Sequence, residues 1–229
     1  MTLSRRYLEE GQMRALYTAA VADGRALTDE QLSKSLTATL TAKPKGAGWW
    51  VFAYGSLLWN PLFPIAEARA GTAHGLHRSF CLRSLASRGT VDQPGLVLAL
   101  EPGGACQGVV YRLPAPLALD ELHLLWRREM VVGAYDPRWI RVQSAERTLT
   151  AITFVVRRDH VQYAKLSPDE QAAIIAHARG AFGSCCDYLM RTRAALASHG
   201  IVDRYLERLA YDVERRQLDY AAPEKRELK

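Results

Sequence analysis

The sequence has no uninterrupted apolar run of the roughly 18 residues that a membrane-spanning helix needs. Its opening segment, MTLSRRYLEEGQ, lacks the apolar core of a secretory signal, so the chain is expected in the cytoplasm, away from membranes. Cysteine is scarce, with four in 229 residues: Cys81, Cys106, Cys185 and Cys186. The last two are adjacent and no C-x-x-C spacing occurs, which argues against a disulfide framework and against a zinc site of ordinary spacing. Reduced, mostly buried thiols are expected instead. The six histidines are scattered, with no pair at ligand spacing. There is no P-loop, no defensible Ser-His-Asp order, no internal repeat and no low-complexity segment. No linker is long enough to divide the chain, so residues 1–229 read as one domain.

What is present is ordinary globular composition, 48% hydrophobic and 24% charged, with a net charge of +6. The surplus of cations raises the question of a nucleic-acid partner. The distribution argues against one: DRYLERLAYDVERRQLDY interleaves acids and bases as a solvated helix face does, and no nucleic-acid motif accompanies the pairs in WRREM and VVRRDH. Attraction of a small anionic substrate is an equally good use of the charge.

Periodicity predicts a helix over residues 4–22 and a second one opened by a capping box at TDEQ, Thr28 to Gln31, with Leu32, Leu36 and Leu40 on one stripe. From WWVFAY to about residue 156 the pattern is mostly β. LVLALE, GVVYRL, RWIRVQ and TLTAITFVV read as short strands, the early ones separated by turn signals such as DQPG and EPGG. One helix interrupts them, LALDELHLLWRREMVVGAY, with Gly133 expected as its C-cap. After residue 167 helices return, one from Ser167-Pro168 to near Gly180, one capped by Ser184 and ending near Gly200, and a last one striped by Leu206, Leu209 and Val213. The plan is a barrel or curled sheet with one inserted helix and helices at both ends.

Two places stand out chemically. WVFAYGSLLWN sets a turn at Tyr54–Leu57 between two apolar patches, at the carboxyl end of a strand. Such a turn aims successive N–H groups into one space, where anions or developing oxyanions are held, although it also reads as a plain turn. Glu129, among Trp126, Met130, Val131 and Val132, lies beside the apolar stripe of the inserted helix. A carboxylate turned inward there gains proton affinity; an ion pair with Arg127 or Arg128 is the plainer alternative. Glu121, two turns earlier, reads as solvated, and Trp59 and Trp126 as core.

Taken in order, these segments resemble the ChaC family of γ-glutamylcyclotransferases, which act on glutathione. WVFAYGSLLWNPLF resembles the family's opening signature. HRSFCLRSLASRGTVDQPGLVLAL resembles its R-G-T, P-G stretch, and GVVYRL its G-x-x-Y-R-L strand. LLWRREMVVGAY resembles the R-E-x-x-x-G-x-Y segment, whose glutamate is catalytic, and GSCCDYLMR resembles a late helix. The five cover about residues 49–200, and the helical start resembles that of bacterial members. Ala53 stands where many members have glycine, and Cys185 or Cys186 where an asparagine is usual.

The resemblance implies an α+β, γ-glutamylcyclotransferase-like β-barrel or curled mixed sheet with an inserted helix and packed terminal helices. It divides the chain into a helical extension (1–47), a cyclotransferase core (48–200) and a C-terminal helix and tail (201–229). It implies cleavage of glutathione to 5-oxoproline and Cys-Gly, with the substrate's own α-amine as nucleophile and hence no cofactor and no metal. Glu129 would be the general acid/base. Val51, Phe52, Ala53, Tyr54, Gly55, Ser56, Leu57 and Tyr135 would bind the substrate, the turn gripping the α-carboxylate or the carbonyl oxygen. Turnover of other γ-glutamyl amines or dipeptides, and a non-catalytic regulatory binding module, stay open as alternatives. The oligomeric state is not implied.

Overall fold

The structure, a computed structural model, describes residues 3–20 and 26–221. Five strands close a barrel: β1 (Trp50–Ala53), β2 (Glu67–Ser84), β3 (Gly95–Arg112), β4 (Tyr135–Gln143) and β5 (Thr148–Val156), in the order β1-β3-β2-β4-β5. Antiparallel ladders join all neighbours except at the seam, where β1 and β3 each meet β5 in parallel, Val51 opposite Ile152 and Leu100 opposite Val155.

Two strand expectations change. LVLALE and GVVYRL are one strand, β3, and EPGG does not turn the chain back. Gly103 and Gly104, both at positive φ, lie on β3 near a register shift between His74 and Leu76 of β2, where Gly75 is also at positive φ. Glycines there accommodate a bulge, which bends a long hairpin without ending it. β2 itself was not expected as a strand. Apart from Ala73, its first half is exposed or half-buried on both faces, so it shows no apolar face of the kind that reveals a strand.

Helices cover the barrel: α1 (Arg5–Glu9), α2 (Gln12–Ala20), α3 (Asp29–Thr41), α4 (Ala118–Glu129), α5 (Pro168–His177), α6 (Cys185–Ser198) and α7 (Arg204–Ala221). The single helix expected over 4–22 is broken in two beside Gly11, at φ +69, and residues 21 and 22 lie outside the described residues. Capping boxes open α3 at Thr28 and α5 at Ser167, and the Ser184 hydroxyl caps α6. α5 stops at His177, short of Gly180, because the chain enters a small hairpin, β6 (Arg179–Gly180) with β7 (Gly183–Ser184).

α4 also ends early. Its last helical residue is Glu129 and its C-cap is Met130; Gly133, at φ +67, belongs to the turn that follows, its N–H bonded to the Met130 carbonyl at 3.0 Å. The apolar face of α4 sinks Leu122, Leu125 and Trp126 into the main core, where Trp126 meets Phe154 edge-on at 5.4 Å. Such a pair adds about 0.5–1.5 kcal/mol beyond its burial.

The other side of α4 is not solvated. Glu121 is buried and bonds Arg5 of α1 at 2.7 Å, which corrects the expectation of a solvent-facing residue. The period of α4 alone marks one apolar face; a second element covering the opposite face leaves no trace in it. α1 and α2 bring their own small core there, Tyr7, Leu8 and Met13 against Val131.

Candidate active site

The strand-to-turn junction at Tyr54 is locked from three directions. The Tyr54 hydroxyl donates to the Phe154 carbonyl at 2.8 Å. Its own carbonyl accepts from the buried Arg78 guanidinium at 3.0 Å, and Arg78 Nε lies 2.9 Å from Asp203. Ser56–Leu58 then forms one 3-10 turn, closed by Leu58 N–H on the Gly55 carbonyl at 2.9 Å. Among the described residues no acceptor is found for the N–H groups of Gly55 and Leu57.

Glu129 and this turn line one cavity. The cavity, about 190 Å³, is lined by Tyr54, Gly55, Ser56, Leu57, Glu129 and Tyr135, so the structure gathers six of the nine residues singled out in the sequence. Val51, Phe52 and Ala53 are fully buried in β1 and do not line it; they carry Tyr54 to its place. The Tyr135 hydroxyl makes only a long contact, 3.5 Å, to the Leu98 carbonyl. Trp59, expected as core, is half-buried on the cavity wall, its indole N–H on Thr192 Oγ1 at 3.1 Å. Trp126 is core, as expected.

The electrostatics centre on Glu129. Burial raises the proton affinity of its carboxyl, and Arg128 pulls it partway back. The position at the C-terminal end of α4, where helix carbonyls point, acts in the same direction as burial. Arg128 Nε is 3.0 Å from Glu129 Oε1, yet the N–H is not aimed at it, and Oε1 is buried with no hydrogen-bond partner. The two readings of Glu129 therefore hold together: it is turned inward and it is ion-paired. The remaining Arg128 nitrogens are committed to the turn, one to the Ser56 hydroxyl at 2.9 Å and one to the Asn60 carbonyl. That double grip is a link between the carboxylate and the turn that residue spacing did not reveal.

Tyr188 of α6 was not anticipated either. Its hydroxyl lies 2.8 Å from where a Cβ on Gly55 would be, and it faces the backbone amides of Leu98 and Ser56. Burial, and then the Glu129 charge, push its pKa up to about 12, so it stays protonated. A further wall comes from the loop after β2. Arg88 lies against both the Trp59 and Tyr188 rings, 5.5 Å from each, and reaches the Ser184 carbonyl and Asp187. Cys185 has a polar role: its sulfur accepts from Leu96 N–H at 3.1 Å and donates to the Arg88 carbonyl at 3.1 Å. Burial pushes this thiol up to about 11, which keeps the proton it donates. Cys81 and Cys106 are also buried and free, and Cys186 is half-buried.

The arrangement supplies one carboxylate of raised proton affinity, unused backbone donors in the same cavity, and four arginines (Arg83, Arg88, Arg128, Arg191) on the wall. It suits proton transfer on an anionic substrate whose carbonyl oxygen gathers charge. Among the described residues no group of three or more His, Cys, Asp or Glu is placed to hold a metal ion, and no helix is long and apolar enough to cross a membrane.

A family model described as ChaC-like protein matches residues 49–216. The chain is 42% identical over 188 residues to the glutathione-specific gamma-glutamylcyclotransferase of Escherichia coli (strain K12), a match covering 81% of each. It is 32% identical over 148 residues to glutathione-specific gamma-glutamylcyclotransferase 1 of Rattus norvegicus, covering 62% of this chain and 67% of that one. In fold it is similar to a yeast γ-glutamylcyclotransferase described as specific to glutathione, with a TM-score of 0.69 at 24% identity over 74% of this chain and 97% of that chain.

Proposed function

Because the chain belongs to the ChaC-like family, we propose that it is a γ-glutamylcyclotransferase that cleaves glutathione into 5-oxoproline and Cys-Gly. The observation that carries the reading of the site is the half-buried Glu129 carboxyl, whose buried Oε1 is ion-paired to Arg128 but accepts no hydrogen bond, in one cavity with a turn that has unused N–H groups. Glu129 takes a proton from the substrate's α-ammonium. The freed amine attacks the γ-carbonyl carbon, a C–N bond forms, and a five-membered ring closes. The old amide C–N bond then breaks as Glu129 returns the proton to the departing cysteine nitrogen, and the ring nitrogen gives up its second proton to the new amine, so that 5-oxoproline leaves with a neutral lactam and Cys-Gly as its ammonium. The chain itself supplies no nucleophile.

Each step has a physical support. A carboxyl held above its ordinary range is a better match for moving protons near neutrality than a solvated one. The N–H groups of Gly55 and Leu57 are free to receive the charge that builds on the carbonyl oxygen, or the α-carboxylate. Tyr135 closes the cavity above Phe154, with its hydroxyl only loosely held. A rigid pocket folds the flexible glutamyl chain toward the ring, and such orientation is worth effective molarities on the order of 10⁵ M or more. Arginines on the wall suit a substrate with two carboxylates. A cytoplasmic location fits four free thiols.

The test is release of 5-oxoproline from reduced glutathione by wild type and by Glu129→Gln. The variant should stay folded by circular dichroism, still bind glutathione and lose roughly 10²–10⁴-fold in turnover. N-acetylated glutathione should be inert, because its amine cannot attack. Turnover of the acetylated compound, or near-normal turnover by folded Glu129→Gln, would remove this mechanism.

A further inference from the structure

The family match begins at residue 49, yet the helices before it reach the cavity. Leu3, Met13 and Tyr17 line it together with Glu129. These helices are fastened to the element that carries the base. Arg5 bonds the buried Glu121 of α4 at 2.7 Å, Arg127 donates to the Glu9 carbonyl at 3.1 Å, and Leu27 N–H bonds the Val131 carbonyl at 2.8 Å. Asn60, just past the turn, holds the Leu3 carbonyl at 3.2 Å. Met13 packs with Val131 in the second core. The segment is therefore held as a wall of the site, on both the Glu129 side and the turn side.

Tyr17 is the polar group on that wall. Its ring packs against the second core, and its hydroxyl reaches the Ser87 and Ser84 hydroxyls, the first at 3.4 Å, too long for a strong O–H···O bond. Those two serines are bonded more closely to each other, at 2.8 Å, and Ser84 also accepts from Arg88 N–H. The Tyr17 hydroxyl is thus a weakly bonded donor on the wall of the cavity that Glu129 also lines. Burial keeps it protonated, and the Glu129 charge adds to that.

We propose that the Tyr17 hydroxyl, brought to the cavity by the N-terminal helices, donates a hydrogen bond to a carboxylate of the bound γ-glutamyl substrate and so makes this extension part of the substrate-binding site. The inference rests on the function proposed above. Glutathione offers two carboxylates, one beside the α-amine and one on glycine, and the experiment separates them. KM for reduced glutathione and for glutathione amidated at glycine is measured with wild type and Tyr17→Phe, which keeps the ring and its packing. Calorimetric Kd values in the non-turnover Glu129→Gln background accompany them. Loss of one hydrogen bond to a charged group should raise KM and Kd about tenfold or more. An equal rise for both compounds assigns the α-carboxylate. A rise for glutathione alone, with the preference over the amide abolished, assigns the glycine carboxylate. KM and Kd unchanged for both compounds, whether or not kcat moves, overturn the inference while wild-type turnover upholds the function. Absence of wild-type turnover overturns the function and this inference with it.

Discussion

Gly55 offers the sharpest test of the site's construction. A Cβ added there would lie 2.8 Å from the Tyr188 hydroxyl oxygen, whereas ordinary van der Waals contact begins at 3.4 Å. Its other neighbours, Leu98 Cβ at 3.6 Å and Cδ1 at 4.0 Å, are at comfortable distances, so the hydroxyl alone is in the way. Tyr188 has little room to retreat. Its ring is buried edge-on to Trp59 at 5.9 Å and Phe80 at 5.8 Å, with Arg88 against it. Overpacking of this kind costs about 1–3 kcal/mol. Tyr188→Phe alone removes the oxygen that faces the Leu98 and Ser56 amides, a loss of about 1 kcal/mol. In the double variant the oxygen is gone and the added methyl fits. Its stability should therefore equal that of Tyr188→Phe, and the cycle should show a favourable coupling of about 1–3 kcal/mol. Urea denaturation of the four proteins measures this, and melting should follow at roughly 2–4 °C per kcal/mol. A Gly55→Ala protein as stable as wild type, or a double variant that merely adds the two losses, would refute the reasoning.

Glu121→Gln should lower stability by roughly 1 kcal/mol, since it breaks the pair with the half-exposed Arg5, while Asp120→Asn on the exposed face of the same helix should stay within about 0.5 kcal/mol; equal melting of the two would return Glu121 to a solvated role. The pH profile of kcat/KM should lose activity as pH falls through a Glu129 value above the ordinary carboxylate range, because the base must be unprotonated to act. Arg128 lowers that value, so Arg128→Gln should move the acid limb to higher pH, and a shift to lower pH would contradict the assignment.

Much of the molecule was legible along the chain. The capping boxes at Thr28 and Ser167, the Ser184 cap and the bounds of β5 follow from local chemistry, in which a few adjacent side chains satisfy adjacent backbone groups. The turn at Tyr54–Leu57 and the inward Glu129 were legible too, because both interrupt apolar patterns that would otherwise continue. The long strands β2 and β3 were harder. Their glycines allow a bulge as readily as a turn, and only pairing with a partner strand decides between them.

What the sequence determined by itself is therefore the kind of elements, the ordered motifs and the inward carboxylate proposed as the base. The tertiary structure alone decided the company those residues keep. Val51, Phe52 and Ala53 adjoin the turn in sequence yet are fully buried, because both faces of β1 are covered. Tyr188, Arg88 and Tyr17 lie far from Glu129 in sequence and line the same cavity. Glu121 is buried because α1 lies over α4. Local rules act over one helical turn or one strand pair, about four residues, whereas burial, ion pairing and the proton affinity of Glu129 depend on which distant segment closes over a side chain.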